Sequence, residues 1–174
     1  MPVHTLIPHA RTHVAVLIVG AGQAGMSASY YLCQAGIDHV VLERNKRFHA
    51  WKEDRWDSFC LVTPNWQCKL PDFPYQGDDP EGFMLKDEIV EYVEGFCNSF
   101  EAPLREGVTV ERVEKIDDIF EVDTDQGLWT ADHVIIASGG YDLPITPPFA
   151  DRLDPSIRQI HSKFYRRPSD IPDG

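Results

Sequence analysis

Residues 14–43, VAVLIVGAGQAGMSASYYLCQAGIDHVVLE, contain the pattern that decides the fold. The apolar, β-branched run at 14–19 is typical of a strand buried on both faces of a parallel sheet. A glycine-rich turn follows at 20–25, and the stretch 26–36 predicts a helix that stops at Gly36. HVVLE at 39–43 is a second buried strand. The order strand, glycine turn, helix and strand predicts a βαβ unit.

The glycine turn has the G-x-G-x-x-G spacing of a dinucleotide-binding loop. Gly20 permits the tight turn, Gly22 lets the backbone approach a pyrophosphate, and Gly25 allows the helix to pack closely on the strand. The N–H groups at the start of the helix can then bind the phosphates. We therefore predict that Gly20, Ala21, Gly22, Gln23 and Gly25 bind a dinucleotide.

An acidic residue follows the turn at the distance that ribose recognition requires. Glu43 ends the second strand, 18 residues beyond Gly25. A carboxylate at this position can accept hydrogen bonds from both ribose hydroxyls, and it repels a 2′-phosphate. The sequence therefore disfavours NADP at this first site.

The rest of the chain alternates between irregular and periodic segments. Residues 45–85 contain three of the four tryptophans and many prolines, which is typical of a long functional loop. Apolar positions at helical spacing predict a helix over 86–100. Three strands are predicted at 107–116, 119–124 and 128–140. The apolar run at 133–137 is expected to rejoin the parallel sheet after a small antiparallel meander.

Composition excludes several classes of protein. The chain has 174 residues and a formal net charge of −12, so binding to a phosphate backbone is disfavoured. None of the four cysteines forms a CxxC pair, which predicts neither a metal site nor a redox dithiol. No secretory signal or apolar run of membrane-spanning length is present, so the sequence predicts a cytoplasmic protein without a membrane span.

A second signal separates FAD from NAD. The stretch WTADHVIIASGG at 129–140 resembles the "ATG" segment of flavoproteins with two dinucleotide-binding domains, with Ser138 in place of the usual threonine. In those proteins this segment follows a β-meander and passes near the flavin nucleotide. An N-terminal glycine turn, a meander and this strand, in that order, imply FAD.

Further segments resemble one family, the flavin-dependent monooxygenases of the flavin-containing and Baeyer–Villiger type. The matching stretches are HAWKEDRWDSFCLVTPN at 49–65, LPDFPY at 70–75, ASGGYDLPITPP at 137–148 and IHSKFYRRP at 160–168. The last of these resembles the right half of the signature F-x-G-x-x-x-H-[ST]-x-x-[YF]. His161, Ser162 and Tyr165 match it, whereas Pro155 and Ile157 replace its Phe and Gly.

The resemblance implies an α/β fold, a Rossmann-like FAD-binding domain with a parallel central sheet and an inserted antiparallel β-meander. That domain is expected over residues 1–150, with 45–85 as an irregular loop on the flavin or substrate side. Residues 151–174 are then a linker toward a second, NADPH-binding domain absent from this chain. The further FAD contacts that the resemblance implies are Arg44, Trp51, Val113, Ser138 and Gly139.

In this family NADPH reduces the flavin, which then uses O₂ to oxygenate a small molecule. The implied cofactors are therefore FAD, and NADPH for the full-length parent. Two alternatives stay open, a non-catalytic or truncated dinucleotide-binding module and a reductase of the pyridine nucleotide-disulfide type. The second requires a redox cysteine pair, and the nearest pair, Cys60 and Cys68, is eight residues apart. The sequence indicates no catalytic residue, no particular substrate and no oligomeric state.

Overall fold

A computed structural model describes residues 12–141 and 143–172. Residues 1–11, 142, 173 and 174 lie outside the described residues. The sequence-based prediction that the N-terminus carries no secretory signal therefore concerns residues that the structure does not describe. The described chain contains helices α1 (Gln23–Gln34), α2 (His49–Lys52) and α3 (Lys86–Asn98). Its strands are β1 (Thr12–Val19), β2 (His39–Glu43), β3 (Lys69–Leu70), β4 (Phe73–Pro74), β5 (Leu104–Glu106), β6 (Val110–Ile116), β7 (Ile119–Thr124) and β8 (Gly127–Ile136).

The chain folds into two compact units. The first comprises Met1–Arg47 and Ala102–Ala137, and the second comprises Phe48–Glu101 and Ser138–Gly174. The expected division near residue 150, between a cofactor domain and a linker, concerns a longer protein and stays a prediction.

The first unit contains a six-stranded sheet in the order β5-β2-β1-β8-β7-β6. β1 pairs in parallel with β2 on one side and with β8 on the other, and β5 extends the parallel part beyond β2. β6, β7 and β8 are joined as an antiparallel meander. The parallel sheet and the inserted meander predicted from the sequence are therefore both confirmed.

Strand β8 belongs to both parts of this sheet. Its first residues pair antiparallel with β7, as Ala131 does with Phe120. Its other edge pairs in parallel with β1 from Trp129 to Ile136. The apolar run at 133–137 therefore rejoins the parallel sheet as predicted, although the strand ends at Ile136 rather than Gly140.

The core of the first unit lies where the β-branched runs predict it. A cluster of buried side chains joins the parallel strands to the meander, and Leu17, Val122 and Ala131 are fully buried within it. Leu42 and Val40 add the buried side of β2. The first four residues of β2 are all buried, so successive side chains are covered on both faces of the sheet and the run shows no polar alternation.

The second unit is organised around α3. Ile89, Val93 and Phe96 are buried along one face, as the helical spacing predicts. Asp87 and Glu88 occupy the first turn, where the helix dipole favours acids. The Glu88 carboxylate accepts the N–H of Leu85 at 2.7 Å, which stabilises the start of the helix.

Three boundaries differ from the sequence prediction for local reasons. α1 begins at Gln23 rather than at residue 26, because Gly22 already serves as its N-cap. Strand β5 was not predicted, since three residues after a proline are too short to show a period. The segment 45–85, predicted to be irregular, contains the one-turn helix α2, a 3-10 turn at Asn65–Gln67 and the two-residue pairing of β3 with β4.

Candidate dinucleotide site

The glycine turn connects β1 to α1 and uses two of its glycines for steric reasons. Gly20 has φ +105°, a conformation that side chains with a Cβ rarely adopt. Its N–H donates to the Leu42 carbonyl at 2.8 Å, which ties the turn to β2. A Cβ on Gly25 would lie 1.9 Å from the Gly20 carbonyl oxygen. The roles predicted for these two glycines, a tight turn and a close helix–strand approach, therefore match the geometry.

Gly22 differs from these two, because the space in front of it is open. It is the N-cap of α1 with φ −81°, and a Cβ placed on it would have no atom within 4 Å. The first intrahelical bond runs from the Met26 N–H to the Gly22 carbonyl at 3.0 Å. No side chain caps the helix, and its first turn has no acidic residue. The leading N–H groups of α1 therefore form a cradle that suits an anion.

The Glu43 carboxylate is bound to the same turn. It accepts the Ala21 N–H through Oε2 and the Asn45 N–H through Oε1, each at 2.8 Å. A carboxylate oxygen has two lone pairs, so each oxygen keeps one for a further donor. The two bonds hold the acid beside the glycine turn, with capacity left for a pair of hydroxyl groups.

The loop after Glu43 is anchored by a second carboxylate. Glu106, at the end of β5, accepts the Lys46 ammonium and the Arg47 N–H, each at 2.8 Å. Burial alone would raise the pKa of Glu106, but these hydrogen bonds and the nearby cationic charges together lower it. Arg44, predicted to contact the cofactor, is exposed in this anchored loop.

The remaining predicted cofactor residues are divided between the two units. Val113 is on the edge strand β6 and packs against the core of the first unit, so the geometry gives it a packing role. Trp51, Ser138 and Gly139 belong to the second unit, where Trp51 lies on α2 and the other two are exposed. Gly139 has φ +77°, which favours glycine at that position. Cofactor roles for these residues and for Arg44 stay predictions.

A group that sequence reasoning missed lies in the second unit. The Arg55 guanidinium carbon lies 5.0 Å from the ring centre of Trp51, 5.5 Å from that of Phe59 and 5.9 Å from that of Tyr141. Trp56 packs edge-on against Phe59 at 4.8 Å between ring centres. We call these five residues the Arg55 cluster. An arginine close to several tryptophans was the available signal, but the contribution of Tyr141 depends on the fold.

Other candidate side chains have structural partners. Asn65 is buried, and its side-chain amide donates to the Asp79 carbonyl at 2.9 Å and accepts the Met84 N–H at 2.8 Å. None of the four cysteines, all in the described part of the chain, forms a disulfide. Burial raises the pKa of the Cys68 thiol, which disfavours the reactive thiolate. Within 12–141 and 143–172, no group of three His, Cys, Asp or Glu side chains is arranged to hold a metal ion.

Comparison with known protein families shows to which family the chain belongs. A family model described as pyridine nucleotide-disulphide oxidoreductase matches residues 17–173. The chain belongs to this family. In this chain Cys60 is exposed and forms no disulfide.

Similar proteins place the chain close to the flavin monooxygenases. An uncharacterized oxidoreductase, CzcO-like, from Geobacillus kaustophilus is 37% identical over 161 residues, covering 92% of this chain and 46% of the relative. Probable indole-3-pyruvate monooxygenase YUCCA4 of Arabidopsis thaliana is 30% identical over 154 residues, covering 86% of this chain and 37% of the relative.

A solved structure extends the likeness to the fold. A mutant of a flavin monooxygenase from Stenotrophomonas maltophilia matches with a TM-score of 0.80 and 27% identity, over 91% of this chain and 48% of that chain. The resemblance to flavin-dependent monooxygenases and the Rossmann-like architecture are thereby confirmed. The chain spans about half the length of the curated relatives it matches. Among the described residues, no helix has the length and apolar character needed to cross a bilayer.

Proposed function

We propose that this chain is the FAD-binding part of an NAD(P)H-dependent flavin monooxygenase that acts on a small molecule in the cytoplasm. The observation that carries the proposal is the bond between the Glu43 carboxylate and the Ala21 N–H. It holds a ribose-binding acid beside an uncapped helix start that suits a pyrophosphate. The likeness to a flavin monooxygenase and to YUCCA4 supports the reaction class.

In this proposal each part of the site has one task. The leading N–H groups of α1 bind the pyrophosphate, and Gly22 leaves room for it. Glu43 uses its remaining lone pairs for the ribose hydroxyls, and its charge disfavours a 2′-phosphate. A bound flavin would supply the redox chemistry, while the protein orients it. NADPH binding is assigned to residues of a longer protein.

The test is a titration of the 174-residue chain with FAD, followed by flavin fluorescence and by the visible absorbance of the bound cofactor. We expect Glu43→Gln to weaken binding by about tenfold or more, which corresponds to 1.4 kcal/mol or more. The amide replaces one acceptor oxygen with a donor that faces an N–H. Glu111→Gln, which removes an exposed carboxylate from β6, is the matched control and should bind FAD normally. A wild-type chain that takes up no flavin contradicts the proposal.

A reductase of the pyridine nucleotide-disulfide type is the second candidate, because the family carries that name. It requires two cysteines that cycle between dithiol and disulfide. Thiol labelling before and after reduction separates the candidates. The monooxygenase proposal expects the same number of accessible thiols in both samples, whereas a gain of two after reduction would favour the reductase.

A further inference from the structure

In the Arg55 cluster, aromatic side chains of the second unit surround the guanidinium of Arg55. Three aromatic rings, those of Trp51, Phe59 and Tyr141, lie within 6 Å of one guanidinium. Such contacts stabilise a cation and hold a long side chain in one place. Arg55 is half-buried, whereas Tyr141 is 82% exposed, so the cluster opens to solvent on the tyrosine side.

The charge of Arg55 lacks the compensation that neighbouring cations have. Lys52 is ion-paired with Glu94, and Arg167 is paired with Asp57 at 3.0 Å. Across residues 12–141 and 143–172, Arg55 forms no ion pair with a carboxylate, and its guanidinium donates to the Asp54 carbonyl at 3.5 Å. In a chain of net charge −12, acids to pair with are plentiful. A half-buried arginine without a carboxylate partner in the protein has N–H donors available for the anion of a ligand.

We propose that Arg55 is a specificity-determining residue that binds the carboxylate of a small organic acid. A guanidinium offers a planar pair of N–H donors that matches a carboxylate in two parallel hydrogen bonds. The rings beside it give the apolar part of the acid a surface to pack on, with the exposed ring of Tyr141 at the open side. The identification of this acid as the substrate rests on the proposed function, whereas the binding itself does not.

The experiment compares two probes of similar shape, the anion phenylpyruvate and the neutral ketone phenylacetone. Binding to the full 174-residue chain is measured by isothermal titration calorimetry. We expect phenylpyruvate to bind and Arg55→Gln to weaken it by about tenfold or more, since a carboxylate then loses its charged partner. Arg55→Lys keeps the charge and should recover part of the affinity. Phenylacetone should not distinguish these variants.

Controls make the outcome decisive. Arg152→Gln removes an exposed positive charge from the same unit and should leave phenylpyruvate binding unchanged. Equal binding of phenylpyruvate to wild type and Arg55→Gln overturns the inference, and so does a wild-type chain that prefers the neutral probe. Inorganic pyrophosphate is titrated as well. If it displaces phenylpyruvate, the site is a phosphate site and the carboxylate assignment is wrong.

A parallel FAD titration separates the two proposals. A wild-type chain that binds phenylpyruvate but not FAD would refute the proposed function and leave the carboxylate site supported. A wild-type chain that binds FAD but not phenylpyruvate would refute only the carboxylate site.

Discussion

At the scale of single residues, the three glycines of the glycine turn differ in why each position is a glycine. Gly20 and Gly25 are needed by the fold itself, one for its positive φ and the other for its contact with a backbone carbonyl. Gly22 has an ordinary φ and open space in front of it. The fold does not require a glycine at this position by φ or by contact, and in the proposed function the missing side chain leaves room for a phosphate group.

This difference predicts opposite phenotypes for two alanine variants. Gly25→Ala forces a Cβ onto the Gly20 carbonyl oxygen, and we expect a loss of about 1–3 kcal/mol in the free energy of unfolding. Gly22→Ala should cost under about 1 kcal/mol, because only its N-cap preference changes. It should nevertheless weaken FAD binding, since the methyl group occupies the cradle.

Urea denaturation and FAD titration of both variants provide the measurements. Each variant is compared with the wild type, and Gly22→Ala serves as the steric control for Gly25→Ala. Wild-type stability in Gly25→Ala, or unchanged FAD affinity in a folded Gly22→Ala, would show that these assignments are wrong.

At the scale of elements, the second unit depends on a side chain that ties short strands to a helix. The Tyr92 hydroxyl on α3 accepts the Leu70 N–H at 3.0 Å and donates to the Phe73 carbonyl at 2.5 Å. β3 and β4 have only two residues each, so their own pairing contributes little. Burial raises the pKa of Tyr92 above its usual value, which keeps the hydroxyl able to donate.

We therefore expect Tyr92→Phe to lower the free energy of unfolding by about 1–3 kcal/mol, because the part-buried Leu70 N–H and Phe73 carbonyl each lose a hydrogen bond. Tyr31→Phe, at an exposed position on α1, is the matched control and should be neutral. The raised pKa also sets a pH dependence. The wild type binds its phenolic proton more tightly when folded, so it loses stability as pH rises above about 10, the ordinary value.

Urea unfolding at pH 7 and at several values above pH 10 tests both parts. The stability difference between wild type and Tyr92→Phe should narrow at high pH, as the wild type loses its advantage. A difference that is absent at pH 7, or that widens with pH, would contradict the role assigned to Tyr92.

At the scale of the whole molecule, the length of the relatives and the surface of the second unit bear on the proposed division of tasks. The relatives are about twice as long as the chain. Residues of the second unit also expose large apolar side chains, among them Tyr141 at 82%, Leu143 at 80% and Ile145 at 85%. Neighbouring exposed apolar groups of this kind commonly mark a contact surface. Both observations support the proposal that NADPH is handled by residues beyond this chain.

The corresponding prediction is that the 174-residue chain binds FAD but does not oxidise NADPH catalytically. Steady-state absorbance at about 340 nm, where reduced nicotinamides absorb, follows the reaction in the presence of FAD and O₂. Free FAD with NADPH serves as the blank. The positive control is a full-length relative, such as the CzcO-like oxidoreductase of Geobacillus kaustophilus. Clear turnover by the short chain, above the blank, would refute the division of tasks between the two parts.

Much of the first unit was predictable because its signals are local. Runs of β-branched residues at 14–19 and 39–43, with a glycine turn between them, report burial and backbone conformation through near neighbours alone. The helix over Lys86–Asn98 was predictable for the same reason, since its apolar face repeats along the chain. By contrast, β5, α2 and the β3–β4 pairing are too short for any period and depend on their surroundings.

The sequence by itself determined the βαβ unit, the meander and the place of Glu43, because each follows from periodicity, turn chemistry or spacing. Only the tertiary structure decided that Glu43 also bonds the Ala21 and Asn45 backbones, because hydrogen-bond partners depend on where β2 ends relative to the turn. It alone placed Tyr141 beside Arg55, 86 positions earlier in the chain. Local sequence carries no record of such distant contacts, which arise only when the packed chain brings the residues together.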